Sequence, residues 1–283
     1  MKTKNLFLAS VLCLAGNFAI GAVLTVDNNP TSNAQHSSIP AAIDAANDFD
    51  TLLVQPSTTS YGQFDINKPL VVIGRGHNAA FGRVLAGEFT ISSSNVIIEG
   101  FRWGPSQALI MTSNLSNIIV RNCLIDILLV QPNCDNILVS GNVINQFIYG
   151  PINGSNNILV LNNILNGVGV FVGDSENIIY KNNIIRSVSP LFDTNSSLAT
   201  FTDNIFYLSS PAHFNIAACT NCSFQNNLTF SPGGPVASSP NTTLNNVAPT
   251  WNLNGLNSPA FNYSINYEML SGAPATGASD GGQ

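Results

Sequence analysis

A repeat of about 21 residues leaves this chain very few folds to choose from. Segments starting at Asn95, Asn117, Asn136, Asn157, Asn177, Leu198 and Asn221 align at spacings of 22, 19, 21, 20, 21 and 23 residues, and each opens a short, mostly apolar run. Five residues after each start stand Gly100, Asn122, Gly141, Asn162, Asn182, Asp203 and Asn226. Gly, Asn and Asp are the residue types that tolerate a left-handed backbone, so this column predicts a sharp bend. One residue further come Phe101, Cys123, Asn142, Asn163, Asn183, Asn204 and Asn227. The five consecutive asparagines are expected to stack as an internal ladder, each amide bonding its neighbours above and below, because buried polar groups must find partners. Apolar residues resume after the bend and predict a second strand. Further apolar pieces at 127–130, 147–149, 168–172 and 190–192 predict a third.

Three strands in so short a unit leave no room for a crossover helix. Successive units must therefore stack directly, each strand pairing in parallel with its equivalent in the next. A propeller blade needs about twice the period, and a leucine-rich repeat needs leucines at fixed offsets with a helical half. The expected fold is all-β, a three-sheet parallel β-helix. Composition agrees: with 45% hydrophobic and only 8% charged residues, the chain carries too much apolar surface to stay disordered. A formal net charge of −6, with nine Lys and Arg in all, excludes a phosphate-neutralising patch and so excludes nucleic acid as partner.

Residues 1–22 read as a secretory signal. Lys2 and Lys4 form its charged end, residues 6–14 its apolar stretch, and Ala19, Gly21 and Ala22 supply small residues for cleavage. The apolar stretch is too short to span a membrane. The expected localisation is secreted or cell surface, without a membrane span. Removing the signal removes Cys13 and leaves Cys123, Cys134, Cys219 and Cys222 where disulfides form. Cys219 and Cys222 have the two-residue separation shared by redox and zinc sites, but no second pair or spaced histidines complete a zinc site. These cysteines are read as small buried residues or as one local disulfide.

The segment 39–54, followed by Tyr61 and Gly62 and by residues 68–74, resembles the opening of secreted right-handed parallel β-helix proteins of the pectate-lyase-like class. That resemblance implies a right-handed coil and makes residues 39–46 a short helix capping its open end. The domain reading is a signal at 1–22, a cap at 23–50, the β-helix at 51–230, and a C-terminal segment at 231–283 that packs on or caps the solenoid. The class holds lyases, hydrolases, adhesins and proteins without activity, so it constrains fold far more than function.

Its lyases take a proton with a Lys or Arg while calcium neutralises the neighbouring uronate carboxylate. Mapped onto this chain, that chemistry would use Lys181 as base, Arg186 as carboxylate partner and Asp203 one rung on, with Asp174 and Glu176 as calcium ligands. Glu99 and Arg121 fall on adjacent rungs and are expected to form a surface ion pair. Against a hydrolase, the columns at and after the bend are mainly Asn and Gly where converging carboxylates would be needed. Function is therefore read first as non-catalytic contact with an extended polysaccharide, without a cofactor, using Trp103, Tyr149, Tyr207 and Arg121. A polysaccharide lyase acting on uronate-containing glycans is the alternative, and a structural or adhesive solenoid the third reading. Tyr180 is excluded from the contact set because it shares an inward column with Phe201 and Phe224.

A conflict inside the repeat adds one expectation. The column four residues after each start is polar at Glu99 and Arg121 and must face out, so by the period of two the column of Ile97, Ile119, Leu138, Leu159 and Ile179 faces out as well. Soluble monomers seldom leave such a stripe bare. The apolar residues of the C-terminal segment, Trp251, Leu253, Leu256 and Phe261 among them, are expected to fold back over it. Deleting residues 245–283 should then cause aggregation or dye binding; an unchanged soluble monomer would refute the cover.

Overall fold

Strands stack through every unit of the repeat and begin ahead of it. The computed structural model describes residues 21–74, 84–149, 154–166, 176–187, 196–197, 199–214, 219–220, 222–230 and 242–246. In them the chain forms an all-β parallel β-solenoid of about 21 residues per coil, with one α-helix, and every named strand pairing is parallel.

The first face runs Val23–Val26, Thr51–Val54, Val71–Ile73, Val96–Glu99, Ser116–Arg121, Asp135–Ser140, Asn156–Leu161, Glu176–Lys181, Ala199–Thr202 and Ser223–Phe230. Register follows the sequence repeat residue for residue: Ile97 pairs with Ile119, Ile119 with Leu138, Leu138 with Leu159, Leu159 with Ile179, Ile179 with Thr200 and Thr200 with Ser223. Pairing starts ahead of the expected boundary at Thr51, because Val23–Val26 already lies along Thr51–Val54. It also runs past Phe230, since Thr242–Asn246 pairs with Ser223–Phe230 through a register shift between Phe224 and Asn227.

The bend has the backbone its residues imply. Gly100, Asn122, Gly141, Asn162, Asn182 and Asp203 all have positive φ, between 54° and 76°. A second face follows, from Leu85–Ala86 through Arg102–Trp103, Ile164–Asn166 and Ile184–Ser187 to Ile205–Leu208. The third face stacks Phe64–Ile66, Phe89–Ile91 and Ala108–Met111. Leu124–Val130 and Val143–Tyr149 run through the corner and serve both the second and third faces. The third-strand expectations at 168–172 and 190–192 fall outside the described residues.

Side chains alternate as the period of two requires. Ile118, Val120, Ile137, Val139, Ile158 and Val160 are essentially fully buried, each such burial contributing roughly 1.5–3 kcal/mol. Farther along the same inward column Tyr180, Phe201 and Phe224 stack face to face, with centroids 4.9 and 4.8 Å apart.

The helix, Ile39–Ala45, is set by local signals: Ser38 accepts a hydrogen bond from the Ala41 amide as N-cap, and a proline sits in its first turn. Ile39, Ala42 and Ile43 enter the core next to the first strands. Lys68 Nζ donates to the carbonyls of Ile43 and Ala46, 2.8 Å each, and so satisfies the helix C-terminus.

Asn142, Asn163, Asn183, Asn204 and Asn227 form the expected internal ladder, every one of them fully buried. The bonding is richer than side chain to side chain. Asn183 Oδ1 accepts from both the backbone N–H and Nδ2 of Asn163, at 2.9 and 3.1 Å. Asn183 Nδ2 donates to Asn204 Oδ1 at 3.0 Å and to the Val160 carbonyl at 2.8 Å. The same pattern recurs along the ladder. At its N-terminal end Cys123 takes the Asn position: its N–H donates to Asn142 Oδ1, its Sγ–H to the Arg121 carbonyl, and its sulfur accepts from the Phe101 amide.

Replacing Asn183 by Leu should therefore orphan the Asn163 backbone N–H and the Val160 carbonyl. Denaturant unfolding should show a loss of about 1–3 kcal/mol for each group left unpaired.

Candidate functional site

The first face carries a surface that no core requirement explains. Its second column, Ile97, Ile119, Leu138, Leu159 and Ile179, is half-exposed on consecutive rungs. Val71 continues it on one side, and Thr51 and Thr200 end it. The outward stripe read from the sequence is thus present; the segment expected to cover it lies outside the described residues.

Beside the stripe stands a second array of asparagines. Asn95, Asn117, Asn136, Asn157 and Asn177 are exposed, and all adopt φ between 55° and 60°. Asparagine accepts this left-handed backbone more readily than other residues with a Cβ. Their amides bond along the solenoid axis: Asn117 Nδ2 to Asn95 Oδ1 at 2.9 Å, Asn136 to Asn117 at 3.3 Å, and Asn177 to Asn157 at 3.2 Å. Between this ridge and the aliphatic floor lies a groove of about 560 Å³, running from Asn117 and Ile119 to Asn177 and Ile179.

Toward the first rungs the ridge column continues at Pro69 and Phe49, two residues before Val71 and Thr51 respectively. Phe49 has φ 68° and is 61% exposed, with its amide donating to the Pro69 carbonyl. A left-handed backbone costs a residue such as Phe roughly 1–2 kcal/mol. Its exposed ring gains little of the burial that would offset that cost. Strain of this kind, kept at a surface, points toward a contact.

The fold places the predicted catalytic residues around the bend that joins the first and second faces. Lys181 is exposed at the outer edge of the first face, with Leu161 and Thr202 as rung neighbours. Arg186 lies past the bend on the second face, between Asn166 and Tyr207. Asp203 occupies the bend column between those faces, at φ 57°. The backbone of Glu176 pairs with Asn156, but its side chain, like all of Asp174, is outside the described residues. Among the described residues no group of three or more His, Cys, Asp or Glu is placed to hold a metal ion.

Of the predicted contact residues, Trp103 must be corrected. It is only 2% exposed and packs on Phe89 and Phe101, with ring centroids 4.7 and 6.1 Å away. Arg102 takes the outward position of that short strand and turns Trp103 into the core. Tyr207 is half-exposed, but on the second face beside Arg186 and away from the groove. The side chain of Tyr149 is outside the described residues. Arg121 is engaged by Glu99, with Nη2 to Oε2 at 2.7 Å and Nε to Oε2 at 2.8 Å. At that exposure the pair contributes at most about 1 kcal/mol.

No expectation from the sequence points to the ridge or to Phe49, because the repeat starts mark only where each unit begins. Their side-chain chemistry, Asn in five successive units, was the available signal. The cysteines divide into two kinds. Cys222 is disulfide-bonded, whereas Cys123 and Cys134 are buried free thiols. Burial pushes the Cys123 thiol up to about 12 and raises that of Cys134. No protein-family model, curated protein or solved structure matches this chain.

Because Cys123 keeps its proton until pH approaches about 12 in the folded state, while an unfolded thiol ionises near 8.5, its contribution to stability is intact below pH 8.5 and is lost as pH rises through that window. Native protein at pH 8 should leave Cys123 unmodified by iodoacetamide, and denatured protein should alkylate it. Mass mapping of the labelled cysteine checks both.

Proposed function

We propose that the protein is an exported solenoid, secreted or held at the cell surface, that binds an extended polysaccharide along its first face without turning it over. The observation that carries this reading is the groove between the exposed asparagine ridge and the aliphatic stripe. An amide in the ridge uses one N–H and one lone pair on its neighbours and keeps one of each for a ligand hydroxyl. The floor from Ile119 to Ile179 suits the apolar C–H faces of sugar rings. Both arrays repeat at about 4.8 Å, comparable to the advance of one sugar along an extended chain. Phe49, on the same ridge, supplies an aromatic platform at one end.

Export is supported by the charged, apolar and small-residue succession at the N-terminus and by the disulfide at Cys222. Among the described residues no helix is long and apolar enough to cross a membrane. A lyase remains the alternative in chemical terms, with Lys181 as base and calcium at Asp174 and Glu176. A structural or adhesive solenoid needs no glycan at all.

Purified protein screened against a polysaccharide panel, with and without calcium, should bind at least one glycan and release no unsaturated product absorbing in the ultraviolet. Leu138→Asp combined with Leu159→Asp should weaken that binding at least tenfold, and Phe49→Ala should cost about 0.5–1.5 kcal/mol. Product formation would establish the lyase reading. Affinity untouched by these substitutions, in protein with unchanged circular dichroism, would remove the groove as the site.

A further inference from the structure

Asp50 is a buried carboxylate that no cation among the described residues pairs. It is 4% exposed, and its oxygens accept only backbone N–H groups among the described residues: Ala22 at Oδ1, 2.6 Å, and Asn47 at Oδ2, 2.8 Å. Lys68 is spent on the carbonyls at the helix end, and among the described residues the ion pair formed is that of Glu99 with Arg121. A buried charge without an opposite charge is costly and is normally paired.

Ala22 is held from both sides. Its N–H points at Asp50, and its carbonyl accepts from the Thr51 amide at 2.8 Å, so it opens the first rung ahead of Val23–Val26. The residue before it is tightly confined: a Cβ on Gly21 would stand 2.1 Å from the Phe49 carbonyl oxygen. Glycine there is also the small residue a signal peptidase requires next to the cut, with Ala19 two positions upstream.

We infer that the leader is cut between Gly21 and Ala22, one residue before the boundary expected from sequence, and that the new α-ammonium of Ala22 becomes the ion-pair partner of Asp50. The inference rests on the export reading. Water adds across the Gly21–Ala22 peptide bond; the leader leaves with the new carboxylate on Gly21, and Ala22 keeps its nitrogen as an ammonium. The donor already 2.6 Å from Oδ1 thereby gains a positive charge and two further N–H groups. Processing and completion of the first rung are then one event, and the precursor is the less stable form.

Two measurements decide it. N-terminal sequencing and intact mass of the exported protein should give Ala22 as first residue, and a start at Val23 or elsewhere would overturn the assigned cut. Separately, the chain made without its leader, starting at Ala22 after removal of the initiator methionine, is compared with the same chain carrying one extra Gly in front. The Ala22 form should melt several degrees higher, and Asp50→Asn should abolish the difference. Equal melting temperatures with Asp50 intact would overturn the pairing. If Asp50→Asn does not fold, acylation of the α-amine decides instead: it should be slowed in native relative to denatured Ala22 protein, and equal rates refute the pair. A protein that is never exported refutes the export reading, while the melting comparison still judges the ion pair.

Discussion

Hydrogen bonds passed from one rung to the next are what the solenoid depends on. In a parallel stack every strand must find its partners in the coil before and the coil after. The sharp bend would break that rule, because a left-handed residue turns its neighbour's backbone away from the ladder. Asn142, Asn163, Asn183, Asn204 and Asn227 repair it: each side chain accepts the backbone N–H of the preceding ladder residue and donates to a carbonyl of that rung. The bend is therefore as fully bonded as the strands on either side. Cys123 closes the array with a weaker donor and a weaker acceptor that still occupy both roles.

The candidate site is a by-product of the same geometry. Positive φ at Asn117 and at Asn122 brackets one short strand, and the bracket recurs at Asn136 and Gly141, at Asn157 and Asn162, and at Asn177 and Asn182. With both ends of each strand fixed, outward side chains have no freedom of register and line up as columns. Aliphatic and amide columns side by side make the groove. Long-range order on the surface is thus inherited from local backbone conformation rather than built by contacts between the exposed side chains, whose own amide bonds run only from rung to rung.

Most of the fold was legible because a repeat in sequence is a register in space: aligning Ile97, Ile119, Leu138, Leu159 and Ile179 amounted to writing the pairing table. What was not legible shares a physical cause, namely the loss of period at corners. Trp103 follows a bend, so the alternation counted along the preceding strand says nothing about which way it points. Lys181 and Arg186 straddle Asn182, the left-handed residue of the bend, and so stand on different faces, as the bend column itself implies. Val23–Val26 escaped notice because a helix and its connections separate it from its partner strand, stretching that spacing well beyond the repeat. Phe49 falls at the end of the cap at 23–50, and its column is defined only by rungs that follow it.

The distance from each repeat start to its ladder residue never varies: Asn136 to Asn142, Asn157 to Asn163 and Asn177 to Asn183 are all the same step, and the differences in coil length accumulate after the second face. The coil thus has a conserved-length half that carries bend, ladder and ridge, and a half whose length is free. For the gene this means that in-frame duplication or loss of one whole Asn-bearing unit leaves the strand pairing and the buried Asn ladder with equivalent partners. Such a protein can change the length of its groove by one rung at a time without passing through an unfolded ancestor.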